Sequence, residues 1–156
     1  MAYGQQRQIV SFDAPAVGNM FTQQYAIDIG DAPGHQLRIF ELVRTYSKNA
    51  PTIEGVHLKE AWIRGMTDYT DSNGLGTSYV PYVMEDGEKI YAYGHFLAHR
   101  DASAGETMLK NMTELTVTGG TGRFLAIRGI VRAETLSDNV AGINQNKSEI
   151  EYWMEK

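Results

Sequence analysis

Residues 112–136 read MTELTVTGGTGRFLAIRGIVRAETL, and the parsing of that stretch decides the fold. A short alternating run, 114–118, enters a turn at Gly119-Gly120-Thr121-Gly122, and a second run, 124–136, leaves it. The clustered glycines allow positive φ and a tight corner that residues with side chains resist. Gly129 interrupts the second run, where a glycine marks a bulge, a bend or a close backbone approach. A long strand pair with a built-in corner suits a small closed barrel, because curvature has to enter at defined points. A phosphate-binding reading fails on context. It would need a Gly-Lys-Ser/Thr ending, or a third glycine opening a helix. Here Gly122 is followed by Arg123-Phe124-Leu125 and strand-like alternation.

The rest of the chain supplies strands for the same sheet. Residues 8–13, 20–29, 36–47 and 57–67 alternate apolar and polar side chains, with breaks at Gly30–Gly34 and Asn49-Ala50-Pro51. Residues 77–84 and 89–99 flank Glu85-Asp86-Gly87-Glu88 and predict a hairpin, with Pro81 marking an edge or a bulge. Residues 68–76 and 137–147 read as polar loops, 100–110 as a connection with one helical turn, and 148–156 as a final alternating strand. The expectation is an all-β single domain over 1–156, an antiparallel barrel of about eight strands.

Composition narrows the function. The chain of 156 residues is 42% hydrophobic and 21% charged, an ordinary globular balance. A net charge of −5 argues against a nucleic-acid partner, which calls for a basic face. The absence of cysteine excludes disulfides, thiolate nucleophiles and cysteine-based zinc sites. No run approaches the ~18 apolar residues of a membrane helix. The polar start MAYGQQRQ carries no secretory pattern, so the expected setting is cytoplasmic. His95 and His99 lie four apart, which on a strand is about 13 Å and too far to share a metal. The aspartates of 68–76 lack the closing glutamate of a calcium loop.

Within 36–47 one face carries Leu37, Ile39, Glu41, Val43 and Thr45, and the other Arg38, Phe40, Leu42 and Arg44. Placing the two arginines in solvent turns Glu41 inward among aliphatic side chains. There desolvation would raise its pKa into acid–base range. Pairing with an inward arginine such as Arg64 or Arg132, or a place at the rim, is the structural alternative. Tyr79, like Tyr25 and Tyr152, could orient a carbonyl through its hydroxyl, or could be an ordinary core tyrosine. The expected catalytic pair is Glu41 and Tyr79. Phe21, Tyr25, Ile39, Val43 and Trp62 are expected to line a substrate pocket. Phe96, Tyr152 and Met154 complete that lining, mostly aromatic and aliphatic as small-molecule pockets are. Phe40 and Leu42 would then face outward and be covered by a second subunit.

Residues 119–129, GGTGRFLAIRG, resemble the GGTG-x-F-x-x-A-R-G stretch of plant dirigent proteins and the GGSG-x-F turn of allene oxide cyclases. The resemblance extends over about 77–136. It implies an eight-stranded antiparallel barrel around an apolar cavity, trimeric in plant members, with chemistry that uses no cofactor. Bacterial relatives of this barrel include cyclases and pericyclases acting on polyketide-like chains. The carry-over of site residues is partial. Counting from Gly94 puts Phe96 where allene oxide cyclases have a cavity tyrosine. Phe40-Glu41-Leu42-Val43 matches their Tyr-Glu-Ile-Asn stretch, unless this strand is the family's second. Their cavity cysteine has no counterpart, which argues against that activity itself.

Two functions follow as expectations. One is a cofactor-independent cyclase or isomerase that folds a flexible apolar molecule, polyketide-like or oxylipin-like, inside the barrel. Holding the reacting ends together would lower the entropic part of the barrier. The other is a non-catalytic, dirigent-like protein that holds or orients a small apolar ligand. In both the chain is a homo-oligomer, trimer or dimer, with no nucleic-acid or membrane partner and no metal.

Overall fold

A computed structural model describes residues 5–15, 19–47, 49–138 and 140–156, so the reading of residues 1–4 as part of a leaderless start lies outside it. The strands are β1 (Gln8–Pro15), β2 (Asn19–Asp28), β3 (His35–Thr45), β4 (Thr52–Ile53) and β5 (Val56–Thr70). They continue as β6 (Asn73–Met84), β7 (Lys89–His99), β8 (Leu109–Gly120), β9 (Ile127–Asp138) and β10 (Ile143–Met154). All pair antiparallel in the order β1-β10-β9-β8-β7-β6-β5-β3-β2, with the short β4 folded back on β5. Apart from strands, the described residues include two single 3-10 turns, Ala102–Ala104 and Gly122–Phe124. The all-β expectation stands.

The closed eight-strand barrel does not. The sheet has ten strands, and among the described residues no ladder joins the edge strands β1 and β2. It is nevertheless rolled. Phe12 on β1 shares one core with Val80 and Tyr82 on β6, and its ring meets Tyr46 edge-on at 5.4 Å. Asn19 at the start of β2 reaches across the seam to donate to Asn144 Oδ1 at 3.3 Å.

The stretch that opened the sequence reading closes one end of this roll. Gly119 and Gly122 take φ of +146° and +55°, and a Cβ on Gly120 would lie 2.1 Å from the Lys89 carbonyl. Only glycine admits that approach. Thr121 and Lys89 exchange hydrogen bonds (Lys89 N to Thr121 Oγ1 and Thr121 N to Lys89 O, both 2.9 Å), and Arg123 pairs with Glu88. So held, the turn drives Phe124 into the end of the roll, where it is fully buried. Gly129 has the close backbone approach expected of it, facing Glu151 and Tyr152 of β10.

Elsewhere the strands run longer than the sequence suggests. The loop expected at 68–76 is a tight turn at Asp71 and Ser72, and that at 137–147 shrinks to the link between Asp138 and Ile143. Pro81 sits inside β6 where the β5 ladder is interrupted, between the pairs Ala61–Tyr82 and Arg64–Tyr79. The register is the same on both sides, so the gap falls where proline has no N–H to donate. Among the described residues no helix is long and apolar enough to cross a membrane.

Candidate functional site

Cross-strand rows on the inner face explain where the roll is solid and where it is hollow. Towards the end capped by Phe124, the rows are Leu115–Val131–Ile150 and Val117–Gly129–Tyr152. These side chains are buried in the main core together with Ile53, Leu58, Met84 and Ile90. One step further along β8, β9 and β10 the row is Thr113–Ala133–Ser148, and the next is Asn111–Thr135–Asn146. Small and short polar side chains cannot fill the space that Leu, Val and Ile fill a few ångströms away. A cavity of about 370 Å³ results, within the roughly 300–1,000 Å³ of small-molecule sites.

The opposite wall, from β2 and β3, is bulky. Phe21, Arg38, Phe40, Leu42 and Arg44 face the cavity, and Phe96 joins them from β7. Phe40 and Phe96 are positioned by glycines on neighbouring strands. A Cβ at Gly65 would lie 2.8 Å from the Phe40 ring, and one at Gly76 would lie 2.2 Å from the Phe96 ring. Each aromatic ring thus lies flat across a strand where a side chain has been omitted. Phe40 stands edge-on to Phe21 and Phe96, with ring centroids 5.9 and 6.4 Å apart.

The polar groups on the small-residue wall satisfy one another. Asn146 Nδ2 donates to Thr135 Oγ1 at 2.9 Å, Ser148 Oγ to Asn146 Oδ1 at 2.7 Å, and Thr113 Oγ1 to Asn111 Oδ1 at 3.1 Å. The arginines opposite are not so provided. Arg38 donates to Gln24 and lies over the Phe21 and Phe40 rings, but its Nε is buried without a partner among the described residues. Arg44 is only 8% exposed and its Nη1 has no hydrogen-bond partner among the described residues. Burial pulls the pKa of both guanidiniums down. Burial pushes the Tyr46 hydroxyl up to about 12, with the Arg44 charge opposing it, and raises Tyr82 further. Both tyrosines are therefore neutral donors at ordinary pH, beside Arg44.

The structure sorts the sequence-derived site residues into three groups. Phe21 and Phe96 line the cavity. Tyr152 and Met154 belong to the solid end: Tyr152 is buried with its hydroxyl within hydrogen-bond distance of Gln8 Oε1 and Glu54 Oε1, and Met154 packs on the core. The remaining six are corrections, because β3 presents its faces the other way round. Arg38, Phe40, Leu42 and Arg44 point in, so Ile39, Glu41 and Val43 lie on the outer row. Val43 is buried there beside Met20 and Trp62, and Trp62 donates to Glu60 Oε1 at 3.0 Å. Tyr25, Ile39, Glu41 and Tyr79 do come together, but in an outer groove of about 360 Å³ with Arg64 and Met66.

Glu41 in that groove has the electrostatics of a paired carboxylate. Thr22 Oγ1 donates to its Oε1 at 2.6 Å and Arg64 Nε to its Oε2 at 2.7 Å. Those bonds, Thr22 first, hold its pKa below the usual carboxylate value, the opposite of the expected rise. The structural alternative of an Arg64 pair is the one found, on the outside. Tyr79 is exposed and stacked on Tyr93 at 5.9 Å. Arg44, Tyr46 and Tyr82 were not among the expected site residues. Their signal was the alternation Phe40, Leu42, Arg44 continuing in phase to Tyr46.

This rolled antiparallel sheet, with one end plugged and the other hollow, has the fold of the dirigent proteins. The pterocarpan synthase dirigent protein PsPTS1 superposes with a TM-score of 0.56 at 15% identity, over 99% of each chain. GePTS1, another pterocarpan synthase dirigent protein, gives 0.51 at 12% identity over 97% of this chain and 90% of that one. Pyocyanin demethylase aligns at 0.43 and 17% identity over 92% of this chain and 99% of that one. No family model and no curated protein matches the sequence. The dirigent resemblance noted at 119–129 is therefore carried into three dimensions as a likeness of fold.

Proposed function

We propose that the protein takes a small, flexible, largely apolar molecule into the hollow half of the roll and cyclises or isomerises it without a cofactor. The observation that supports this is the cavity itself, about 370 Å³ bounded by Phe40, Leu42 and Phe96 on one side and a preorganised hydroxyl–amide wall on the other. A guest folded there has its reacting ends held together, and effective concentration then lowers the barrier. Tyr82 and Arg44 supply hydrogen bonds to an oxygen on which charge develops, in a dry setting where such bonds count for most. Toward its guest the roll would act as a closed barrel, with the β1–β2 seam bridged by side chains.

A second reading is favoured by one observation: among the described residues the cavity lining contains no carboxylate or histidine to serve as a general base. On that reading the protein is a dirigent-like holder that orients a reactive guest and leaves the bond-making to it. Turnover of linear polyene and polyketide-like substrates separates the two. Cyclisation that falls at least about a hundredfold in Ala133→Trp and about tenfold in Tyr82→Phe supports the enzyme. Guest binding without any acceleration over buffer supports the holder.

We propose further that the protein is a homo-oligomer, on different grounds from those the sequence suggested. Phe40 and Leu42 face inward. The outer face instead exposes Tyr25, Ile27, Leu37, Ile39, Met66 and Tyr79 on adjoining strands, a continuous apolar patch of the kind a second copy covers. Light scattering should give a dimer or trimer, and Ile39→Glu should shift it to monomer. A wild-type monomer at micromolar concentration would refute this.

A further inference from the structure

We infer that the guest carries a planar oxyanion, a carboxylate or an enolate of carboxylate-like shape, held by Arg44 with Tyr46 and Tyr82. This rests on the cavity-binding reading above and adds the chemical class of the guest. An arginine stays charged when buried, and a buried charge without a partner is costly. Natural interiors offset that cost with a carboxylate. Among the described residues the cavity lining has two arginines and no aspartate, glutamate or lysine. The outer face of the same strand shows the contrast, since Arg64 there is matched by Glu41.

Arg44 lines the hollow, is more than nine-tenths buried, and its enclosed Nη1 lacks a partner among the described residues. Tyr46 and Tyr82 line the same hollow as Arg44, and burial keeps both hydroxyls protonated. One guanidinium fork with two neutral O–H donors is a receptor for two coplanar oxygens. The rest of the hollow, with Leu42, Phe40, Phe96 and Leu115, suits an apolar tail. The geometry thus assigns an amphiphilic acid, its head at Arg44 and its tail toward the Phe40–Phe96 wall.

Isothermal titration of the full chain with decanoate, decanamide and decyl phosphate tests this. Wild type should bind decanoate at least about tenfold more tightly than decanamide, as a charge-assisted fork requires. In Arg44→Met that preference should fall to about one, while the ligand-free variant melts above wild type because an uncompensated buried charge has gone. Equal binding of acid and amide by wild type overturns the inference and leaves the cavity reading standing. Decyl phosphate bound more tightly than decanoate overturns the planar-oxyanion assignment. A decanoate preference that persists in Arg44→Met, with a lowered melting point, makes the arginine a packing residue and also overturns it. Should the variant fail to fold, the wild-type comparison decides alone. No binding of any of the three refutes the inference, and a purified protein that also carries no guest refutes the cavity reading with it.

Discussion

The two ends of the roll are built from the same strands and differ in what stands on adjacent rows. At the plugged end, Leu115, Val131 and Ile150 face one another across β8, β9 and β10. One residue pair further along, the same strands carry Thr113, Ala133 and Ser148. The backbone does not change; the side-chain volume does. The first half stores the stability of the fold and the second leaves room for a guest. Separating the two along the strand direction lets a small domain keep a hollow without losing its core, since each buried aliphatic side chain is worth about 1.5–3 kcal/mol and can be concentrated at one end.

The sharpest way to break this comparison is to truncate one residue from each end. Ile150→Ala, in a fully buried position, should cost about 2–5 kcal/mol in urea unfolding, whereas Thr113→Ala should cost under about 1 kcal/mol. Equal losses would mean that the two halves are packed alike. A smaller effect is expected at the aromatic wall. Gly76→Ala places a methyl against the Phe96 ring and the Met66 carbonyl, at 2.2 and 2.8 Å before relaxation, and should destabilise by about 1–3 kcal/mol. It should also weaken guest binding, because Phe96 has to move into the hollow. An unchanged cavity ligand affinity would show that the ring is not held by its glycine.

The smallest effect concerns the rim of the hollow end. His35, at the start of β3, contacts Asp31 through Nδ1 at 2.5 Å and Asp68 through Nε2 at 2.7 Å, tying the β2–β3 turn to β5. Those hydrogen bonds, Asp31 first and then Asp68, raise its pKa above 6.5. A raised folded-state pKa means that the stabilisation is complete below the unfolded value near 6.5 and is lost as pH climbs through the folded value. Protection factors for amide exchange at residues 28–37 should therefore fall as pH rises above 6.5, while those of the plugged end hold. Asp68→Asn should lower the His35 titration midpoint read by NMR. Loosening of both ends together would contradict the division.

Much of this architecture was legible in the sequence because it rests on local signals. The glycine turn at 119–122, the hairpin at Glu85–Glu88 and the alternating runs each carry their own evidence in neighbouring residues. The inner face of β3 was not legible in that way. Sending arginines to solvent and aliphatics to the core is sound for an ordinary sheet, and it inverted this strand. Arg38 and Arg44 enter a polar-walled hollow, and Leu37 and Ile39 stand on an outer patch. The deciding signal was non-local. Gly65 and Gly76 show the inner face only once their partners Phe40 and Phe96 are known, and that requires the register. Glu41 was misplaced for the same reason, and the residues it seemed to gather, Tyr25, Ile39 and Tyr79, were gathered on the outside.

The claim beneath both proposals is that the hollow half receives a guest. Native mass spectrometry of the protein as purified tests it directly. The account predicts a small-molecule adduct that dissociates on mild activation and is absent from Ala133→Trp, whose indole would occupy the space. A bare polypeptide mass in the wild type, with no uptake when amphiphilic acids are added, would contradict it.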